Sequence, residues 1–254
     1  EMTSLPDTSG KERSGGLCNM DAKIKNKRTK SMKKIIAKIF SQWGFVPLIM
    51  ALLCNFVVYS GCNALTRNWN LHSLAIPLDK QIPLIPWTIV IYFGCYIFWI
   101  INYILIYRRS REYAYRFFVA DFLSRIVCLV FFLCYPTTLV RPAVEGEGIF
   151  YDAIRFLSKI DAPTNLFPSI HCLVSWFCFI GIISDIKIPK WYKVISFLSA
   201  LAVFVSTLTT RQHVIVDVVG GVALAQICYL IAQKTNIWRC FEKTFDYLNG
   251  FFAE

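Results

Sequence analysis

Six apolar runs, at about 45–65, 84–107, 119–140, 169–184, 191–209 and 213–232, account for most of this 254-residue chain. A bilayer-spanning helix needs roughly 20 mostly apolar residues, and every run but the short fourth approaches that length. Backbone amides find no water inside a bilayer, so each run has to satisfy its own hydrogen bonds as a helix. The chain is 56% hydrophobic and only 17% charged, more apolar than a single soluble core requires. The expectation is an all-α, polytopic membrane protein with six transmembrane helices filling residues 45–232.

The net charge of +11 would suit a nucleic-acid binder, but its placement argues otherwise. Eight basic residues fall between Lys23 and Lys38, immediately before the first span, where anionic lipid is the natural partner and no nucleic acid is expected. Ile35, Ile36, Ile39, Phe40 and Trp43 follow at helical spacing, so 23–44 reads as a basic amphipathic interfacial segment. A solvated topology anchor explains the same charges equally well. Residues 1–22 read as a disordered leader or an expression remnant, and 233–254 as a cytoplasmic tail.

Cytoplasmic loops carry the excess of Lys and Arg, which orients the spans. The basic N-terminus, Arg108, Arg109, Arg111 and Arg116, then Lys187, Lys190 and Lys193, and finally Lys234, Arg239 and Lys243 share one side. The other side has only Arg67, Lys80, Arg141, Arg155, Lys159 and Arg211. Both termini are thus expected in the cytoplasm, and the sparse side in the periplasm, the cell exterior or an organelle lumen. No internal repeat is visible, so an inverted-repeat transporter gains no support.

Nearly all polar residues with chemistry to offer fall on that sparse side, in three clusters: Arg141-Pro142, Phe167-Pro168-Ser169-Ile170-His171, and Arg211-Gln212-His213 with Asp217. His213 and Asp217 are four apart at a helix start, so the carboxylate can accept the imidazole Nδ1–H and leave Nε2 free to attack. An Asp inside a span is costly unless it is partnered, which makes this pair a functional candidate. The plain alternative is a polar pair that glues helices together. His171 follows Ser169 where a long loop enters a span, a position with free backbone N–H groups for phosphate oxygens and an imidazole that can protonate a leaving alkoxide. Alone, that string would be an N-cap beside an interfacial His. Arg141 and Arg211 offer forked donors to a phosphoryl group, and each alone would pass for a snorkelling arginine.

Asp121 and Arg125, also four apart, read as a structural ion pair toward the cytoplasmic end of span three, and Gly220-Gly221 as a close helix contact. The ten cysteines are scattered singly, and two of the three histidines already lie in the clusters, so no metal site is expected.

Together these residues resemble the type 2 phosphatidic acid phosphatase superfamily of membrane lipid phosphatases and head-group transferases. Its motifs read Lys-x6-Arg-Pro, Pro-Ser-x-His and Ser-Arg-x5-His-x3-Asp. Arg141-Pro142 matches the end of the first, Pro168-Ser169-Ile170-His171 the second, and Ser206, His213 and Asp217 the third. The resemblance implies that His213 is a nucleophile forming a phosphohistidine, Asp217 its orienting carboxylate and His171 the acid. It implies too that Arg141 and the Ser169 region bind phosphate, without metal or other cofactor. The family Lys falls on Cys134 and the family Arg on Thr207, so two cations are missing. Arg211 replaces the second if the helix continues one turn past Thr207.

The segment from Asp161 to Ser169 and the basic-Gln-His string resemble the branch that contains inositol phosphorylceramide synthase-like proteins. The expected function is a lipid phosphate or diphosphate phosphatase whose head group reaches the outer-face site while its tail stays among the helices. Two alternatives are kept: a lipid head-group phosphotransferase with the same intermediate, and a catalytically silent lipid-binding membrane protein.

Overall fold

The computed structural model describes residues 41–253, apart from 42 and 67. The leader expected over 1–22 and nearly all of the interfacial segment expected over 23–44 lie outside the described residues. The described chain forms helices α1 (Phe45–Thr66), α2 (Ile89–Tyr107), α3 (Arg111–Cys134), α4 (Ile149–Ile160), α5 (Ile170–Ile183), α6 (Lys190–Thr209), α7 (Ile215–Lys234) and α8 (Arg239–Ala253). Five of them, α1, α2 with its preceding 3-10 turn, α3, α6 and α7, are long and apolar enough to cross a membrane. The fourth expected span, α5, is equally apolar but only 14 residues long. At about 1.5 Å per residue it reaches ~21 Å, short of a ~30 Å hydrocarbon core.

The ends of α3 depart most from the expected 119–140. Ser110 caps its start by accepting Tyr113 N–H at 3.3 Å, and it stops at Cys134, just ahead of Tyr135-Pro136. A residue before proline is driven out of the α region, so the helix cannot run on to residue 140. Two consequences follow. Arg141 lies in the loop beyond α3 rather than at its end, and Asp121 and Arg125 sit at mid-helix rather than near the cytoplasmic end. They pair at 2.8 Å with only 2% of either side chain exposed, and Tyr103 donates to the same Asp121 oxygen at 3.2 Å.

Alternating helix directions gather the ends of α1 and α3 and the starts of α2, α5 and α7 at one end of the bundle. α5 packs against α2, α6 and α7, while α3 packs against α1 and α7. Phe117, Phe118, Phe132 and Phe177 fill the core between them, and Leu52, Leu53, Phe56, Val57, Ile97 and Ile100 point outward, as lipid-facing residues do. Gly221 brings the α7 backbone against the Ser169 carbonyl, and a Cβ at Gly220 would strike the Phe167 ring. Both glycines therefore serve close packing, as read from the sequence.

At the far end, three main-chain carbonyls left open by α7, those of Ala232, Gln233 and Thr235, accept from Arg116 Nη1 at 3.0, 3.0 and 2.5 Å. The tail expected over 233–254 is the amphipathic α8. Its Asn249 accepts Val46 N–H at 3.3 Å and donates to the Trp43 carbonyl at 3.2 Å, fixing the start of α1. At the other end, β1 (His72–Ser73) pairs in parallel with β2 (Thr137–Thr138), and amphipathic α4 lays Ile154 and Leu157 against Ile89 and Tyr92.

Candidate active site

Three local structures converge here. The first is the start of α5. Ser169 is fully buried and caps the helix by accepting Cys172 N–H at 3.4 Å, while its own N–H donates to the Asp217 carbonyl at 3.1 Å. The Phe167–Pro168 peptide is cis, and the Leu166 and Phe167 amides both donate to Thr137 Oγ1, at 3.0 and 2.9 Å. This places His171 in the first turn of α5, its ring 4.6 Å from Tyr92 and 5.4 Å from Trp99 between centroids.

The second is the turn from α6 to α7. The helix ends at Thr209, Arg211 takes a left-handed φ of 56°, and the Gln212 and His213 amides both return to the Thr207 carbonyl at 2.9 and 3.1 Å. A left-handed residue just beyond a helix closes its last carbonyls, and it also ends the helix. Arg211 therefore does not extend the α6 face that carries Thr207, as a continuing helix would have it. The Thr207 side chain is fully buried and hydrogen-bonds back to the Phe204 carbonyl, so it supplies no cation to the site, while its own carbonyl holds the turn that carries His213. Cys134, at the other vacant cation position, is exposed at the end of α3.

The third is the first turn of α7. Asp217 Oδ2 accepts Val214 N–H at 3.0 Å, capping the helix, and faces His213 Nδ1 at 3.3 Å. His213 precedes α7 instead of starting it, yet the four-residue spacing still brings the two together, because the cap turns the chain onto the carboxylate. One carboxylate oxygen thus holds both the helix and the imidazole, leaving Nε2 for chemistry. The His171 ring stands 5.8 Å from the His213 ring, and its Nε2 is buried with no partner among the described residues.

His213 borders two cavities. One, of about 360 Å³, is lined by Asn55, Tyr59, Tyr96, Trp99, Asp161 and His171. The other, of about 400 Å³, is lined by Ser73, Asp79, Lys80, Pro142 and Arg211. Arg141 lies beside them: its Nη1 donates to the Asp161 carbonyl at 2.7 Å, and its Nε is buried without a partner among the described residues. Burial lowers the Arg141 pKa from its ordinary value while Asp161 opposes the shift, and a guanidinium remains charged even so. Ser169 lines neither cavity. Thus His213, Asp217 and His171 come together as expected, with Arg141 and Arg211 at the margins.

Lys80 and Asp79 were not singled out from sequence. Asp79 reaches across from the 3-10 turn Pro77–Gln81 to accept Ile215 N–H at 2.8 Å at the start of α7. Nothing local to that loop announces so distant a contact. Asn55 did carry a signal, an amide in the middle of an apolar run. Among the described residues, no group of three or more His, Cys, Asp or Glu side chains gathers as a metal site would require.

A family profile described as the PAP2 superfamily matches residues 64–231. No curated protein and no solved structure matches the chain significantly. The family match takes in α2 to α6, nearly all of α7 and every site residue expected from the sequence, well over half of the chain, and so the protein belongs to the PAP2 superfamily, as a multi-pass membrane enzyme of phosphatase or phosphotransferase type.

Proposed function

We propose that the protein is a lipid phosphate or diphosphate phosphatase that works through a phosphohistidine at the outer face of its membrane. The observation that carries this reading is the His213–Asp217 contact at 3.3 Å facing the His171 ring. With Nδ1–H held by Asp217, the His213 Nε2 lone pair attacks phosphorus and the bond to the lipid oxygen breaks. His171 gives its proton to that oxygen. Water then attacks the phosphohistidine, His171 takes a proton back, and phosphate leaves as the N–P bond breaks. The Arg141 guanidinium, beside the cavities, offers fixed positive charge to the phosphoryl oxygens, with Lys80 and Arg211 at the second cavity adding to the local field. No metal enters these steps, and the sparse side of the charge count supports an outward-facing site.

The first step needs His213 neutral when it attacks and His171 protonated when the lipid oxygen leaves, so activity should fall at low and at high pH. The deciding test is phosphate release from a panel of lipid phosphates and diphosphates, with chelator present, by purified wild type and His213→Ala. Release lost only in the variant is the expected result; release retained by His213→Ala would overturn the reading. A lipid alcohol in place of water would turn the same steps into head-group transfer, and the cavity on the His171 side gives a specific reason to consider it.

A further inference from the structure

The loop between α1 and α2 is fastened at three points to the turn that carries His213. Asp79 Oδ1 accepts Ile215 N–H at 2.8 Å at the start of α7, Ile85 N–H donates to the Thr209 carbonyl at 3.0 Å at the end of α6, and the Thr88 and Thr209 hydroxyls meet at 2.9 Å. One stretch, 79–88, therefore clamps the α6–α7 turn at both of its ends. It lies outside all three sequence clusters.

Asp79 does more than tie the loop down. Its Oδ2 accepts Ile76 N–H at 2.7 Å, closing the turn that presents the next residue, Lys80, to the second cavity beside His213. From the other side, the left-handed backbone at Arg211 takes that side chain off the α6 face and into the same lining. Two cations thus line one cavity with a single carboxylate, and each oxygen of that carboxylate already holds a main-chain N–H. Neither the Lys80 nor the Arg211 side chain has a hydrogen bond or ion pair among the described residues. Two such cations in a concave site repel one another and attract an anion. A phosphoryl group in transfer needs fixed positive charge, and this chain carries none at Cys134 or Thr207.

We propose that Lys80 is a substrate-binding residue that contacts the phosphoryl oxygens from outside the three clusters, standing in for a missing cation, and that Asp79 is the positioning residue that fixes Lys80 to the His213 turn. With the leaving oxygen beside His171 in the first cavity, the phosphoryl oxygens lie toward the second, where Lys80 meets them. Three rotatable donors on a flexible stem let it follow those oxygens as phosphorus moves from the lipid to Nε2. Its part in turnover rests on the phosphohistidine reading above; its binding of the anion does not.

The experiment uses the full chain in detergent at constant ionic strength and reads two quantities. One is the dissociation constant of inorganic phosphate, from the rise in thermal midpoint that it causes; the other is kcat/KM for phosphate release from a lipid monophosphate. Lys80→Met keeps the stem and removes the charge. It should weaken phosphate binding and lower kcat/KM by about tenfold each, with Lys80→Arg recovering most of both and the phosphate-free midpoint unmoved. Asp79→Leu should weaken phosphate binding to a similar degree, and should add little in combination with Lys80→Met, because both remove the same contact. Asp79→Asn, which keeps an oxygen for the Ile215 amide, should fall between wild type and Asp79→Leu. Lys80→Met decides alone should Asp79→Leu not fold. No phosphate binding by wild type, binding unchanged in Lys80→Met, or losses in the two single variants that multiply in the double would overturn the proposal. Phosphate binding that depends on Lys80 in a protein that releases no phosphate from any lipid would leave the anion contact standing and overturn the phosphohistidine reading instead.

Discussion

Two ion pairs in this molecule have the same sequence signature, a carboxylate and a base four residues apart on or beside an apolar helix, and they sit in opposite environments. Asp121–Arg125 is sealed at the middle of α3, donated to by Tyr103 and bordered by aromatic core residues. In the His213–Asp217 pair, His213 borders two cavities and is near a second imidazole with an unpartnered nitrogen among the described residues, and Asp217 shares one carboxylate oxygen with a helix start. The spacing makes the pair, but only the surroundings give it a task. A pair whose remaining hydrogen-bonding capacity meets a cavity can act on a ligand, whereas one enclosed by packing can only hold helices together.

The strongest way to break the comparison is at the pair beside the cavities. His213→Ala should reduce phosphate release by a factor of ~10³ or more, since it removes the nucleophile and no other group stands in its place. Asp217→Asn should fall nearly as far, by ~10²–10⁴, because an amide beside Nδ1 no longer fixes the tautomer that leaves Nε2 to attack. The Val214 amide keeps an oxygen acceptor in this variant, so the thermal midpoint should move little. A large stability loss with activity per folded molecule preserved would mean that this pair, too, only holds helices together.

The enclosed pair should give the opposite pattern. Arg125→Met leaves Asp121 buried without its cation and should destabilise the fold by about 3–5 kcal/mol, with little change in turnover per folded molecule. Replacing both partners, Asp121→Leu with Arg125→Met, should restore most of that loss, because two apolar side chains leave no uncompensated charge behind. Thermal unfolding in a fixed detergent, read beside phosphate release, checks both. A double variant as unstable as the single, or an active-site effect from either, would assign Asp121–Arg125 more than a structural role.

The site was legible where chemistry is local in sequence. His213 and Asp217 declare themselves by spacing, and Ser169 and His171 by the cap and first turn that two adjacent positions define. The spans were legible for the same reason, since apolar runs report burial in lipid directly. Legibility failed where distant segments decide the outcome. The third span was placed too late because the run of apolar residues continues to Val140, while Pro136 had already ended the helix. Arg211 was expected on a continuing helix, yet the return of two amides to Thr207 closes α6 before it. The Asp79 cap on α7 depends on a partner more than a hundred residues away, which no window along the chain contains.

A smaller effect sharpens the comparison from the side of packing. Gly221 lets α7 approach the Ser169 carbonyl, and that approach sets the distance between the α5 start, which carries His171, and the α7 start, which carries Asp217. The atom a Cβ would strike is main chain, which cannot swing aside like a side chain, so Gly221→Ala must push one helix start away from the other. Displacements of about 1 Å at a site where two imidazoles act on one phosphorus can reduce the rate by up to ~10². Gly220→Ala makes the control, since its new methyl meets the Phe167 ring, a side chain that can give way where the Ser169 main chain cannot. The expected result is a fall in kcat for Gly221→Ala of about tenfold, with a smaller one for Gly220→Ala and similar thermal midpoints for both. Equal losses in the two would show that the bundle absorbs the methyl by shifting as a whole, and that the separation of the two helix starts is not what the glycine protects.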